Sequence, residues 1–188
     1  MIDFQHLRQH RTDFPPYSFL GSAAEAAALP VEHQAQIHFL DAEASRFVDQ
    51  YLEASSMQRG AMSTGNPTPF RAGYFQHLET YSDDTPAVLK KWLYRRGIPF
   101  SHYVLLYGGT SPQNVLLTWK MVIKYAGQLF RAHDWLVFDE TLNGALSYHH
   151  DGLFTFARPR IFDPEPEYQQ MYAQQELQLR YPFLRFPY

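Results

Sequence analysis

Residues 134–158, DWLVFDETLNGALSYHHDGLFTFAR, decide the fold that this sequence predicts. The segment contains Asn143-Gly144 and Asp151-Gly152, the two dipeptides best suited to two-residue turns with positive φ. Each dipeptide separates two runs of strand-forming residues. The sequence therefore predicts a three-stranded antiparallel meander over about 134–158.

The two predicted turns also set the register of this meander. Two-residue turns place Phe138 opposite His149 in the first hairpin, and His149 opposite Phe154 in the second. Side chains alternate along a strand, so the predicted core face consists of Leu136, Phe138, His149, Phe154 and Phe156. The opposite face would carry Val137, Asp139, Tyr148, His150, Leu153 and Thr155.

Outside the meander, the pattern of apolar residues predicts one more strand and three helices. The run at about 102–107 indicates a buried strand that joins the meander through a crossover helix and lies parallel to its neighbour. Apolar residues at three- and four-residue steps predict helices over about 31–55, 86–96 and 112–130. The last two begin with a capping residue followed by proline. The predicted fold class is α+β.

The two ends of the chain differ in composition from the middle. Prolines and glycines in residues 1–30 predict an irregular arm, with two helical turns at about 22–28, and residues 164–188 form a Gln-rich and then aromatic C-terminal segment. A chain of 188 residues with 45% hydrophobic residues is long enough to bury a substantial core. We therefore expect a single domain over 1–188.

Composition and charge exclude several classes of function. The sequence has no cysteine, which excludes thiol nucleophiles, iron–sulfur clusters and cysteine-ligated zinc. The net charge is −3 and the 16 Lys and Arg residues are scattered, so we expect no nucleic-acid partner. Without a signal peptide or an apolar stretch of about 20 residues, we expect a cytoplasmic protein that does not bind membranes.

A glycine-rich turn is the first candidate for chemistry. Gly108-Gly109-Thr110-Ser111 stands between a predicted strand and a predicted helix, where backbone N–H groups favour an anion. The turn lacks the lysine of a P-loop, and Pro112 removes one donor, which favours a plain turn. The alternative is a small hydrolase or nucleotide- or phosphate-handling enzyme that binds its ligand through Gly108, Gly109 and Thr110 and uses Ser111, Asp139 and His150.

The histidines are the second candidate. His149-His150-Asp151 invites a metal site, but adjacent residues on a strand point to opposite faces, and the spacing His-x-His is absent. Asp139 would share a face only with His150. We therefore expect a structural His149, a surface His150, and neither a metal nor another cofactor.

The order of a helix and three strands over 111–160 resembles the C-terminal part of small uncharacterised bacterial domains, including immunity proteins of toxin systems. The resemblance implies a stoichiometric binder rather than an enzyme. With no catalytic constellation in the sequence, we predict a non-catalytic protein-binding domain of the immunity or antitoxin-like kind. Its partner would be another protein or a second copy. The aromatic tail would bind it through Tyr181, Phe183, Phe186 and Tyr188.

Overall fold

A computed structural model describes residues 2–58, 69–82, 85–108, 114–131, 133–158, 172–173, 176 and 179–182. Its ten strands are β1 (Arg11–Thr12), β2 (Tyr17–Ser18), β3 (Gly21–Ser22), β4 (Ile37–Leu40), β5 (His77–Tyr81), β6 (Tyr103–Tyr107), β7 (Val115–Thr118), β8 (Trp135–Phe138), β9 (Ala145–His149) and β10 (Leu153–Arg158). Its α-helices are α1 (Ala23–Ala27), α2 (Val31–Gln34), α3 (Ala42–Ser55), α4 (Pro86–Tyr94), α5 (Trp119–Lys124) and α6 (Ala126–Leu129), and a 3-10 turn spans Leu7–Gln9.

Eight of these strands form one sheet in the order β1-β4-β7-β6-β8-β9-β10-β5, and β2 pairs with β3 in a separate hairpin. Every neighbouring pair in the large sheet is antiparallel. Helices and a large antiparallel sheet together confirm the predicted α+β class. Among the described residues, no helix combines the length and apolar character needed to cross a membrane.

The predicted meander is present as β8, β9 and β10, but both of its registers are wrong. Phe138 pairs with Ala145, so residues 139–144 form a longer connection than a two-residue turn. His149 pairs with Leu153, which makes the second connection three residues long, 150–152. Gly152 there has φ +83°, the positive value that was predicted.

The one-residue shift in the second hairpin moves β10 side chains to the other face of the sheet. Phe154 and Phe156 pack in one core cluster with Val137 and Tyr148, not with Leu136 and Phe138 as predicted. His149 lies opposite Leu153 at the end of the ladder. The predicted division of the meander into one core face and one outer face is therefore wrong, because both faces are buried.

The strand predicted at 102–107 is confirmed as β6, but its orientation is not parallel. It pairs antiparallel with β7 on one side and with β8 on the other. The helix predicted over 112–130 is correspondingly wrong in its first half, because Val115–Thr118 is a strand and helix α5 begins only at Trp119. All four residues of β7 are buried, and a short apolar run buried on both faces has no period that separates strand from helix.

The helix predicted over 31–55 is interrupted by a strand for the same reason. Ile37–Leu40 is fully buried as β4, between the short helix α2 and the long helix α3. The Asp41 side chain accepts a hydrogen bond from the Ala44 backbone N–H at 2.8 Å and so begins α3. The helix predicted at 86–96 is confirmed as α4, which ends at Tyr94 before Gly97 with φ +74°.

Two clusters of buried side chains cover the two faces of the large sheet. Helices α4, α5 and α6 supply the first with residues such as Leu93, Trp119 and Leu129. Helix α3 supplies the second with Val48 and Leu52. The N-terminal arm is more regular than predicted: it contributes β1 to the sheet, the β2–β3 hairpin, and helix α1 where the two helical turns were expected.

Candidate functional site

Two pairs of aspartate and histidine lie at opposite ends of the β8–β9 hairpin. Trp135 pairs with Tyr148 at one end of the ladder, and Phe138 pairs with Ala145 at the other. Asp134 therefore sits beside the β9–β10 turn, whereas Asp139 begins the connection to β9. Asp139 and His150, two of the candidate residues of the alternative enzyme, are not brought together.

At the Asp139 end, the carboxylate is fully engaged by neighbours. Its Oδ2 lies 2.8 Å from His102 Nε2, just before β6. Its Oδ1 accepts hydrogen bonds from the Thr141 backbone N–H at 2.9 Å and from the Thr141 hydroxyl at 2.5 Å. These contacts fasten the long β8–β9 connection to the start of β6, which is a structural role.

At the other end, Asp134 meets two histidines in what we call the histidine cluster, Asp134, His149 and His150. Asp134 Oδ1 accepts a hydrogen bond from the His150 backbone N–H at 2.8 Å and lies 2.9 Å from His150 Nδ1. The two imidazole rings lie with their centroids 4.2 Å apart. The expectation that these rings diverge is wrong, because β9 ends at His149 and His150 already belongs to the turn.

Hydrogen bonds within the cluster lower the pKa of Asp134 and raise the pKa of His150. Burial raises the pKa of Asp134, but the hydrogen bonds from His150 outweigh it and hold this pKa below the ordinary value. The hydrogen bond to Asp134 raises the pKa of His150. The pair therefore favours a carboxylate beside an imidazolium when no other ligand is present.

A groove of about 660 Å³, the arm groove, lies between the N-terminal arm and the sheet. Phe39 of β4 lies in its wall, and the arm residues Phe14 and Phe19 contact this ring at centroid distances of 5.7 and 6.2 Å. The lining is mostly apolar, as ligand sites in proteins usually are. It includes Pro15, Tyr17, Phe19, Leu20, Val115 and Leu129.

A few polar groups converge on the apolar lining of the arm groove. The indole N–H of Trp135 is buried and has no hydrogen-bond partner within the described ranges. The exposed Arg131 and His133 also line the groove, and neither forms an ion pair with a described residue. Glu25 of the arm lines it as well.

The sequence does not predict the arm groove, because the groove forms between segments that are far apart in the chain. The only local signal was the run of aromatic residues in the arm, Phe14, Tyr17 and Phe19. An aromatic residue in an irregular segment indicates packing onto a distant surface, but it does not indicate which one. The histidine cluster did have a local signal, the His149-His150-Asp151 run, although the alternation of side chains along a strand predicts that its two imidazole rings point to opposite faces.

The glycine-rich turn and the aromatic tail lie mostly outside the described residues. Gly108 is half-buried after β6, and Gly109, Thr110 and Ser111 are not described. The helix start predicted at Pro112 also lies outside the described residues, and the described segment that follows, Val115–Thr118, is strand β7 and not a helix. Of the tail residues Tyr181, Phe183, Phe186 and Tyr188, only Tyr181 is described, with 43% of its surface exposed.

Comparison with known proteins assigns no family. No protein-family model matches the chain, and no curated protein matches it significantly. Function has therefore to be inferred from the arm groove and the histidine cluster themselves.

Proposed function

We propose that the protein is a non-catalytic protein-binding domain that receives a segment of its partner in the arm groove. The observation that supports this most is Trp135, which lines the apolar groove and whose buried indole N–H has no partner among the described residues. A buried donor without a partner costs about 1–3 kcal/mol, which a ligand that opens the groove wall and supplies an acceptor to this N–H would recover. Tryptophan is also one of the residue types that contribute most to protein interfaces.

The groups around this indole define the partner segment. Large apolar side chains would fill the space beside Phe19, Phe39 and Leu129. A carbonyl or carboxylate oxygen would accept from the Trp135 N–H, and a negative charge would pair with Arg131. The partner segment that fits is an extended peptide in which an aromatic or large aliphatic residue is followed by an acidic one.

The separation of Asp139 from His150 supports a binder over the alternative enzyme. Acid–base catalysis requires its groups within hydrogen-bond reach of one substrate, and these two lie at opposite ends of the β8–β9 hairpin. The immunity or antitoxin-like role, and a partner interface on the tail, stay predictions from the sequence.

A peptide library displayed on phage and selected against the whole chain tests the proposal. We expect the selected peptides to carry an aromatic or aliphatic residue next to an acidic one. Their affinity should fall about 3- to 10-fold for Trp135→Phe, which removes one hydrogen-bond donor and keeps an aromatic ring. The loss for Arg131→Glu should exceed tenfold, because a charge is reversed.

Trp119→Phe is the matched control, since both indole nitrogens are buried without a described partner and both rings belong to one core cluster, but Trp119 does not line the groove. A peptide with the sequence of residues 181–188 is tested alongside, and its binding in the groove would identify the tail of this chain, or of a second copy, as the occupant. The proposal is wrong if selected peptides bind the Trp135 and Arg131 variants as well as they bind the wild type. It is also wrong if no peptide binds.

A further inference from the structure

The histidine cluster brings together the donor types of a metal centre. His149, His150 and Asp134 each place one donor atom within 4.8 Å of the other two. Two imidazoles and a carboxylate are donors that zinc, cobalt and nickel accept readily. We propose that Asp134, His149 and His150 bind one divalent transition-metal ion of the zinc class.

The cluster has to contract before it can bind an ion. Donors that share a tetrahedral ion at about 2.0–2.2 Å lie about 3.3–3.6 Å apart, so a separation near the 4.8 Å limit calls for movements of about one ångström. His150 can make them, because its side chain is 44% exposed and it stands in the turn beyond β9. Three protein ligands leave a fourth position for water or for a group from another molecule.

A second observation points to a ligand at this place. His149 Nε2 is buried and has no hydrogen-bond partner in the part of the chain that the structure describes. The other nitrogen, Nδ1, lies 3.2 Å from the carboxylate of Asp151. The Asp151 backbone N–H also approaches Nδ1, at 3.4 Å. An ion on Nε2 would place the proton on Nδ1, where it can bond to the Asp151 carboxylate, and a carboxylate behind a histidine is the usual arrangement around metal ligands.

The other end of the β8–β9 hairpin lacks these features and serves as an internal control. His102 is a single imidazole there, and its partner Asp139 is already occupied by two hydrogen bonds from Thr141. His133, which precedes the cluster by one residue, provides a second control for nonspecific binding to an exposed histidine.

The test is a calorimetric titration of the whole chain, without a histidine tag and after treatment with EDTA, with ZnCl₂ alone. We expect one ion per chain for the wild type. His149→Ala and His150→Ala should each weaken binding at least tenfold, and Asp134→Asn should weaken it about 10- to 100-fold. His102→Ala and His133→Ala should bind zinc within twofold of the wild type.

A Co²⁺ titration followed by visible absorption gives an independent readout, since a four-coordinate site produces a d–d band that the His150→Ala variant should lose. If His149→Ala does not fold, the variants of the exposed His150 and the half-buried Asp134 carry the test. The proposal is overturned if zinc does not bind the wild type at 1:1. It is equally overturned if the cluster variants bind zinc like the wild type, or if His102→Ala loses as much affinity as His150→Ala.

Discussion

The two turns of the meander come from similar dipeptides but fold differently. Asp151-Gly152 lies in a three-residue connection with positive φ at the glycine. Asn143-Gly144 lies in a six-residue connection in which the positive φ falls on Leu142 instead, at 53°. The hydrogen bonds of Asp139 to His102 and Thr141 hold this longer connection.

The difference shows how tertiary contacts override a local turn signal. At the end of β8, the Asp139 carboxylate bonds to Thr141 and to His102, just before β6, and the chain leaves the β8–β9 ladder at Phe138 to form a long connection. At the tight turn, the Asp134 carboxylate instead bonds to His150, two residues before Gly152, and His150 lies outside strand β9. His150 therefore stands beside His149 and completes the histidine cluster.

Removal of the Asp139 hydrogen bonds at the long connection should change the free energy of unfolding most. Asp139→Ala deletes the acceptor of the His102 and Thr141 hydrogen bonds, and we expect a loss of about 1.5–3 kcal/mol in the free energy of unfolding. The measurement is urea denaturation followed by circular dichroism.

Glu140→Ala is the matched control for this change, because the side chain is exposed and the Tyr51 hydroxyl bonds only its backbone oxygen. It should change the free energy of unfolding by no more than about 0.5 kcal/mol. Equal losses for the two variants would show that Asp139 does not hold the connection.

Substitution of Gly152 and of Gly144 by alanine should change the stability of the protein in opposite directions. Gly152→Ala should destabilise by about 1–2 kcal/mol, because an L-residue is forced to φ +83° while no atom lies within 4 Å of the added Cβ. Gly144 has no positive φ, and a Cβ there meets its nearest atom, the Ala157 carbonyl oxygen, at 3.4 Å. Gly144→Ala should therefore stabilise by about 0.4–1 kcal/mol through the unfolded state. Thermal melts that show the reverse order would contradict the two turn geometries.

The smallest effect is a pH dependence confined to the tight turn. The pKa of His150 is raised above 6.5 in the fold, so its ion pair stabilises fully below pH 6.5 and is lost as the pH rises through the folded value. In EDTA, the wild type should melt higher than His150→Gln at pH 5.5, and this difference should shrink at pH 8.5. A difference that grows with pH would contradict the Asp134–His150 pair.

The meander and the α+β class could be predicted because their signals are local. Turn dipeptides and strand-forming runs lie next to each other in 134–158. The strands β4 and β7 could not be recognised, since each is a run of four residues buried on both faces and flanked by helix-forming sequence. Their partners are far away in the chain, and only pairing between them distinguishes strand from helix.

The functional residues divide in the same way. The histidine cluster was visible as a sequence run, but its geometry depends on whether the strand ends at His149 or continues through His150. A shift of this strand end by one residue decides whether the His149 and His150 rings point to opposite faces of the sheet or lie side by side. The arm groove brings Phe19 and Phe39 to Trp135 across about a hundred residues of sequence, which no local pattern reports.

Anomalous diffraction from a crystal of the whole chain grown with ZnCl₂ tests the asymmetry of the two turns most directly. Data collected on both sides of the zinc absorption edge locate the ion without reference to any variant. We expect a peak in the anomalous difference map within coordination distance of Asp134, His149 and His150, and none between His102 and Asp139. A peak at His102 and Asp139, or the absence of a peak at the histidine cluster, would contradict the proposed metal site.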